Sequence, residues 1–246
     1  MAGACPLGHD TDLCAYVQEE RGAGDGANEF IVKVHGTTPL LAGSAYGERM
    51  NTEPVILEGH HIHLEPLALS HERALVEVAA DGQLWNLEVT FVPTEATMAA
   101  YIETALSAQA QGRELPFVIV HRASGRICGT TRYRAMEPAH RRLEIGSTWL
   151  GVSWQRTVVN TEAKFLLLSH AFEQWLCLRV EFFTDVLNQR SWRGIERLGA
   201  KQEGILRNHL LMPNGRQRDS VVFSIIAQEW PEVKAHLRRK LSAYGT

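Results

Sequence analysis

The sequence predicts an α/β fold, a mixed sheet of six or seven strands flanked by helices, on three observations. Residues 143–199 read strand, loop, helix, strand, helix: Leu143-Glu-Ile-Gly-Ser-Thr-Trp-Leu150 is β-branched and aromatic, Thr161 to Leu176 has helical apolar spacing, Leu178 to Val186 is a second strand, and Asn188 to Leu198 is a helix closed by Gly199. Phe117-Val-Ile-Val120 is a short, continuous apolar run, as expected of a strand covered on both faces. Pro213-Asn-Gly215 is a turn joining two strand-like runs, 200–212 and 218–226. If the strands at 143 and 178 are parallel, the helix between them makes a right-handed crossover. The loop entering that helix then presents free backbone N–H groups and a positive dipole end to an anion.

The remaining elements follow in order. Ile62-His-Leu-Glu-Pro-Leu67 alternates as a strand. Ser70 stands where a cap would open a helix from His71 to Ala80, stopped by Asp81-Gly82. An aromatic loop follows, with Trp85 and Asn86. Thr94 caps a helix to about Gln111, with Met98, Tyr101, Ile102 and Ala105 at helical spacing. Ala123-Ser-Gly-Arg126 is a hairpin turn before the strand Ile127–Tyr133, and 137–140 turn into the strand at Leu143. The helix from Thr161 carries the stripe Phe165, Leu168, Phe172 and Trp175, a core face, with Glu162 and Ser169 elsewhere. Pro231 opens a last helix to about Leu241. Residues 1–52, rich in Gly and Ala, read as a poorly ordered extension in which only 31–34 suggest a strand. Translation could begin at Met50. Residues 53–230 form one domain, and 231–246 a C-terminal helix and tail.

Composition narrows the function classes. The 246 residues are 45% hydrophobic and 22% charged with a net charge of −3, which suits a soluble globular protein and argues against a dedicated DNA binder. Arg190, Arg193, Arg197, Lys201 and Arg207 still make one region locally basic. No apolar run is long enough to span a membrane, and no basic-then-apolar leader begins the chain. Cys5, Cys14, Cys128 and Cys177 have neither metal nor redox spacing; Cys128 and Cys177 read as buried thiols, and a reduced, cytoplasmic setting fits. His60-His61-x-His63 lacks a carboxylate or Cys partner at ligand spacing, so no metal is expected.

The order of elements and the residues at their joints resemble the GNAT superfamily of acyl-CoA-dependent N-acetyltransferases, nearest the RimJ/RimL-type branch that acetylates ribosomal-protein N-termini. The carrying segments are Gly129-Thr-Thr131, Leu143–Leu150, Asn160-Thr-Glu-Ala163 with His170-Ala-Phe-Glu173, and Thr184–Ser191 through Ile195-Glu-Arg-Leu-Gly-Ala200. The resemblance covers roughly residues 55–230. It implies a splay between the strands at 143 and 178 and a bulge at Ser147, Thr148, Trp149 and Leu150 whose backbone pairs with the pantetheine arm of acetyl-CoA. It also implies that the loop with Gln155, Arg156, Thr157, Asn160 and Thr161 faces the diphosphate, and that Asn188 and Ser191 lie near the thioester sulfur. Arg156 and Val158 stand where the family loop has glycines, and a β-branched Val tolerates positive φ badly, so the cradle should take another shape. Ile195 occupies the place of the general-acid Tyr found in many members, leaving Ser191 for that task.

The reaction so implied needs a neutral amine, a polarised thioester carbonyl and a stabilised thiolate. A protein α-amino group has a pKa of about 7.7–8.0, so a carboxylate acting directly or through one water suffices as base. Glu144 is the candidate base; as an alternative it is an ion-pair partner of the neighbouring arginines. Backbone N–H groups near Thr148 to Leu150 would polarise the carbonyl. Asn188 and Ser191 also read as a plain helix cap, Asn160 and Thr161 as N-caps, and Arg193 as a solvated residue able to reach a CoA phosphate. Trp85 and Asn86 are candidates for the acceptor groove. The expected partners are acetyl-CoA and an amine, most simply a protein N-terminus, with a small-molecule amine or a non-catalytic GNAT-fold binding protein as alternatives. A homodimer could form through exposed strands or the last helix.

Overall fold

Ile62 and Leu64 turn inward and His63 outward, as their alternation predicts, and the sheet extends to both sides of this strand. The computed structural model describes residues 33–35 and 50–244. In chain order the elements are β1 (Lys33–His35), β2 (Ile56–Glu58), β3 (Ile62–Pro66), α1 (Glu72–Ala80), α2 (Glu95–Ala110), β4 (Leu115–His121), β5 (Arg126–Glu137), β6 (Arg142–Leu150), α3 (Val158–Ser169), β7 (Arg179–Asp185), α4 (Gln189–Glu196), β8 (Lys201–Leu211), β9 (Gln217–Ile226) and α5 (Trp230–Ser242). They build one nine-stranded sheet, ordered β1-β2-β3-β4-β5-β6-β7-β9-β8. Its pairs are antiparallel except β6–β7, which is parallel. The sheet exceeds the expected six or seven strands because it takes in β1, which overlaps the strand suggested at 31–34, and β2, whose three residues are too short to show a period. The expected N-terminal extension otherwise lies mostly outside the described residues.

The two faces of β4 explain its unbroken apolar run. Phe117 and Ile119 join the larger core with α3 and α5, whereas Val118 and Val120 join a smaller one with Leu75, Met98, Ile102 and Trp149 under α1 and α2. Helix α5 belongs to the larger core: Trp230 stacks on Phe172 at 5.3 Å, and Leu237 and Leu241 are fully buried. Strand β8 is an edge strand with Ile205, Leu206, Leu210 and Leu211 exposed.

Two helix starts differ from the expectation. Helix α1 begins at Glu72 after a 3-10 turn, Leu69–His71; Ser70 lies inside that turn, and the His71 ring accepts from the Ala68 N–H (3.1 Å). Helix α3 begins at Val158, with Thr157 as its cap, whose hydroxyl accepts from the Val159 N–H (3.3 Å). Asn160 and Thr161 therefore lie in the first turn and are not caps. Nor is α3 apolar on one face only: Thr161 to His170 are all buried. Its Glu162 carboxylate is satisfied inside by the backbone N–H groups of His60 (2.6 Å), His61 (2.9 Å) and Ile62 (3.0 Å). Those bonds tie the β2–β3 turn to the helix. A π-helical turn, His170–Gln174, ends the crossover helix.

Candidate active site

Parallel pairing between β6 and β7 covers only Arg142↔Arg179, Leu143↔Val180 and Glu144↔Glu181. Beyond Glu144 the strands part: β6 continues to Leu150 against β5, and β7 continues to Asp185 against β9. A bulge in β6 goes with the parting. Thr130 pairs with Trp149 and Arg132 with Gly146, so β6 has one extra residue there, and Ser147 takes φ 47°. An extra residue bends its strand and increases the local twist. Gly129 holds the far end of β6 close to β5, since a Cβ there would lie 2.0 Å from the Trp149 carbonyl oxygen. The result is a wedge-shaped gap with the free edge of β6 along one side, at the place expected for Ser147, Thr148, Trp149 and Leu150.

The mouth of α3 opens beside that gap. Arg156 adopts φ 62° and so takes the left-handed conformation that a glycine would otherwise supply. Val158 is the first helical residue and needs no positive φ. The loop makes its left-handed turn at the first of the two glycine positions and needs none at the second. Arg156 is exposed and Thr157 caps the helix. Thr161 is instead buried, with the Arg197 guanidinium 3.4 Å from its hydroxyl. Gln155 donates to the Leu150 carbonyl (2.8 Å) and accepts from Arg190 (2.6 Å). That side-chain bridge runs from the end of β6 to α4. Arg193, on α4, is exposed.

Asn188 caps α4, its side-chain oxygen accepting from the Ser191 N–H (3.0 Å). This pair stands at the start of the helix that follows β7. Ile195 is buried in the larger core and has no catalytic access.

Glu144 stands at the apex of the gap, at its last paired register. It shares that register with Glu181. The two carboxylates have different neighbours. Glu181 is paired to Arg179 (2.7 Å) and Arg142 (3.5 Å), whereas the Arg134 guanidinium is 3.7 Å from Glu144, beyond hydrogen-bond length. Arg142 is also engaged by Glu137 (2.6 Å) and therefore does not serve Glu144. Burial pushes the Glu144 carboxyl above its usual range, opposed by Arg134. A carboxylate so placed is a better proton acceptor than a surface one.

Trp85 packs against the smaller core, which also holds Trp149, and Asn86 donates to Gln83 (3.0 Å). Neither is tied to the gap by a hydrogen bond. The link from this loop to the gap is Arg216, which pairs with the buried Asp185 at the end of β7 and donates to the Glu88 carbonyl (2.9 Å).

Lys164 escaped the sequence reading because it lies inside the apolar run of α3. Its ammonium nitrogen is 2.6 Å from the Thr148 hydroxyl and 3.4 Å from that of Thr131, and the hydroxyls are 2.7 Å apart. A lysine among alanine, phenylalanine and leucines was the available signal, since such a position almost never carries an unpaired charge. Cys128 and Cys177 are buried free thiols, which burial pushes up to about 12, so neither is a nucleophile near neutrality. His63 contacts Glu65 (3.3 Å); among the described residues no group of His, Cys, Asp or Glu is placed to hold a metal ion, and no helix is long and apolar enough to cross a membrane.

A protein-family model described as Acetyltransferase (GNAT) domain matches residues 61–201. A Bacillus subtilis protein provisionally named ribosomal N-acetyltransferase YdaF is 31% identical over 106 residues; the match takes in 43% of this chain and 57% of that relative's length. A crystal structure of a provisionally named acetyltransferase from T. thermophilus is 38% identical, covers 76% of this chain and 96% of its own, and has a TM-score of 0.67. A GCN5-related N-acetyltransferase from Brucella melitensis is 31% identical, with 76% and 85% covered and a TM-score of 0.68.

Proposed function

The chain belongs to the GNAT acetyltransferase family, and on that premise we propose that it transfers the acetyl group of acetyl-CoA to a primary amine, specifically a protein N-terminal α-amine. The observation that carries this reading is the parting of β6 from β7 immediately after Glu144, beside the open mouth of α3. A free strand edge suits the amide-bearing pantetheine arm, which can pair with it as a strand would. The α3 N-terminus, with Arg156 and Thr157, suits the diphosphate. For the diphosphate to lie across this mouth, Arg190 must leave Gln155, and a phosphate is the stronger partner. The relative's name, which refers to ribosomal N-acetylation, supports a protein amine and a cytoplasmic setting.

Each step of the chemistry falls to a named group. Glu144 takes a proton from the acceptor's ammonium, directly or through one water, and the neutral amine so formed attacks the thioester carbonyl. Its raised pKa matches it better to an α-amine, at about 7.7–8.0, than to a lysine side chain at about 10.4. Backbone N–H groups in the bulge 147–150 polarise the thioester carbonyl. Ser191 donates a hydrogen bond to the departing thiolate, and Asn188 holds the turn that presents it. Amine attack is direct, within a ternary complex.

Thiol release from acetyl-CoA, measured over N-terminal peptides, lysine side-chain peptides and small amines, tests the reading. Turnover fastest on N-terminal peptides is expected. Preference for small amines would move the acceptor to another class. Binding of acetyl-CoA with no turnover on any amine would point to a non-catalytic binding protein.

A further inference from the structure

The bulge poses a physical problem. Ser147 at φ 47° is a strained, non-glycine left-handed residue, and such residues persist only where the surroundings over-determine them. The residue after it, Thr148, is held through its side chain: its hydroxyl lies between Lys164 Nζ (2.6 Å) and the Thr131 hydroxyl (2.7 Å). Lys164 itself is 6% exposed. A methionine would fill the same space with no charge to desolvate, so a buried lysine is a poor choice for stability alone. Its ammonium has three donors, and the two hydroxyls account for two of them.

We infer that Lys164 is a positioning residue for acetyl transfer, acting through Thr148 to hold the bulge and placing a positive charge beneath the thioester carbonyl. This rests on the proposed function. Acyl transfer develops negative charge on the carbonyl oxygen, and a fixed cation in a dry site stabilises it without reorganising. Glu144 is the charged group that acts on Lys164, and it favours the ammonium; on the same side of the sheet lie Tyr133, whose hydroxyl donates to the Leu167 carbonyl, and His170, pushed down to about 3 by burial and so neutral. Burial lowers Lys164 to about 7. The ammonium is therefore present below neutrality and lost above it.

The test is kcat between pH 6 and pH 9 for the wild-type protein and Lys164→Met, at saturating acetyl-CoA and N-terminal peptide. The limb due to the acceptor is common to both proteins and cancels in the ratio; the limb due to Glu144, which interacts with Lys164, is separated by repeating the ratio in a Glu144→Gln background, where the fall with pH should persist. The wild-type/variant ratio should be about 10–100 at pH 6 and fall towards a lower plateau as pH rises through about 7, with the KM for acetyl-CoA changed less than about threefold. Thr148→Val should reproduce the loss at pH 6 and Thr148→Ser should restore it, and this pair decides the matter if Lys164→Met does not fold. A ratio that is constant with pH, or equal activity of Thr148→Val and Thr148→Ser, overturns the role of Lys164 while leaving the acetyltransferase reading intact. A wild-type protein without acetyl transfer overturns both.

Discussion

Glu144 and Glu181 are the same residue type at the same register of adjacent strands, yet their surroundings set them apart. Two arginines pair directly with Glu181, while Glu144 is buried and the Arg134 guanidinium, its one ion-pair partner, lies beyond hydrogen-bond length. Glu144→Gln should therefore lower turnover on an N-terminal peptide by about 100-fold near pH 6.5, and by less than about tenfold above pH 8.5, where the amine is already neutral. A pH profile parallel to wild type would remove Glu144 from proton transfer. The same residue affects stability. Its folded-state pKa is raised, so the native protein holds this proton more tightly than the unfolded chain, and stability declines as pH climbs from the ordinary value of 4.5 through the folded value. Thermal melting of Glu144→Gln should match wild type near pH 4 and exceed it at pH 7. A difference that does not vary with pH would contradict the raised pKa.

Between elements, the site is an error in strand pairing held in place by close contacts. Gly129 fixes one side of it. Gly129→Ala would press a methyl group onto the backbone of Trp149 and Leu150, which cannot move without unpairing β5 from β6. A loss of about 3 kcal/mol in denaturant unfolding is expected, together with weaker acetyl-CoA binding because the free edge of β6 shifts. Unchanged stability would mean that β6 can move away freely. The mouth of α3 depends on Thr157, and Thr157→Ala should cost about 1 kcal/mol through loss of the cap. Asn160→Ala, inside the first turn, should cost much less, although the sequence ranked the two residues the other way. Comparing their unfolding midpoints checks the helix start directly.

For the molecule as a whole, the two cores on opposite faces make the sheet a rigid support for the gap. A ligand that binds only the native state raises its melting point by mass action. At a hundredfold excess over its dissociation constant, acetyl-CoA should add about 2.7 kcal/mol, or about 5–11 °C for a chain of this size. Arg156→Ala should shrink that shift without altering the melting point of the free protein by more than about 2 °C, because Arg156 is exposed and its left-handed conformation is open to a small residue only at modest cost. Scanning calorimetry with and without the ligand measures both. An undiminished shift would place the diphosphate elsewhere.

The order of strands and helices from β3 onward, the apolar centre of β4, the Pro213–Gly215 turn and the presence of a crossover at 143–199 were all legible in the chain, because each rests on local spacing or turn chemistry. Glu144 could also be picked out as a carboxylate beside the expected splay. Tertiary structure alone fixed the register at which β6 leaves β7, within the splay and bulge that the resemblance implied, since a register shift is an agreement among three strands that no single segment encodes. It also moved the helix start from Thr161 to Val158, because the left-handed Arg156 completed the turn early. Lys164 shows the difference most plainly: its significance lies in hydroxyls contributed by residues 131 and 148, and only the packed sheet brings those two side chains under a helix from elsewhere in the chain.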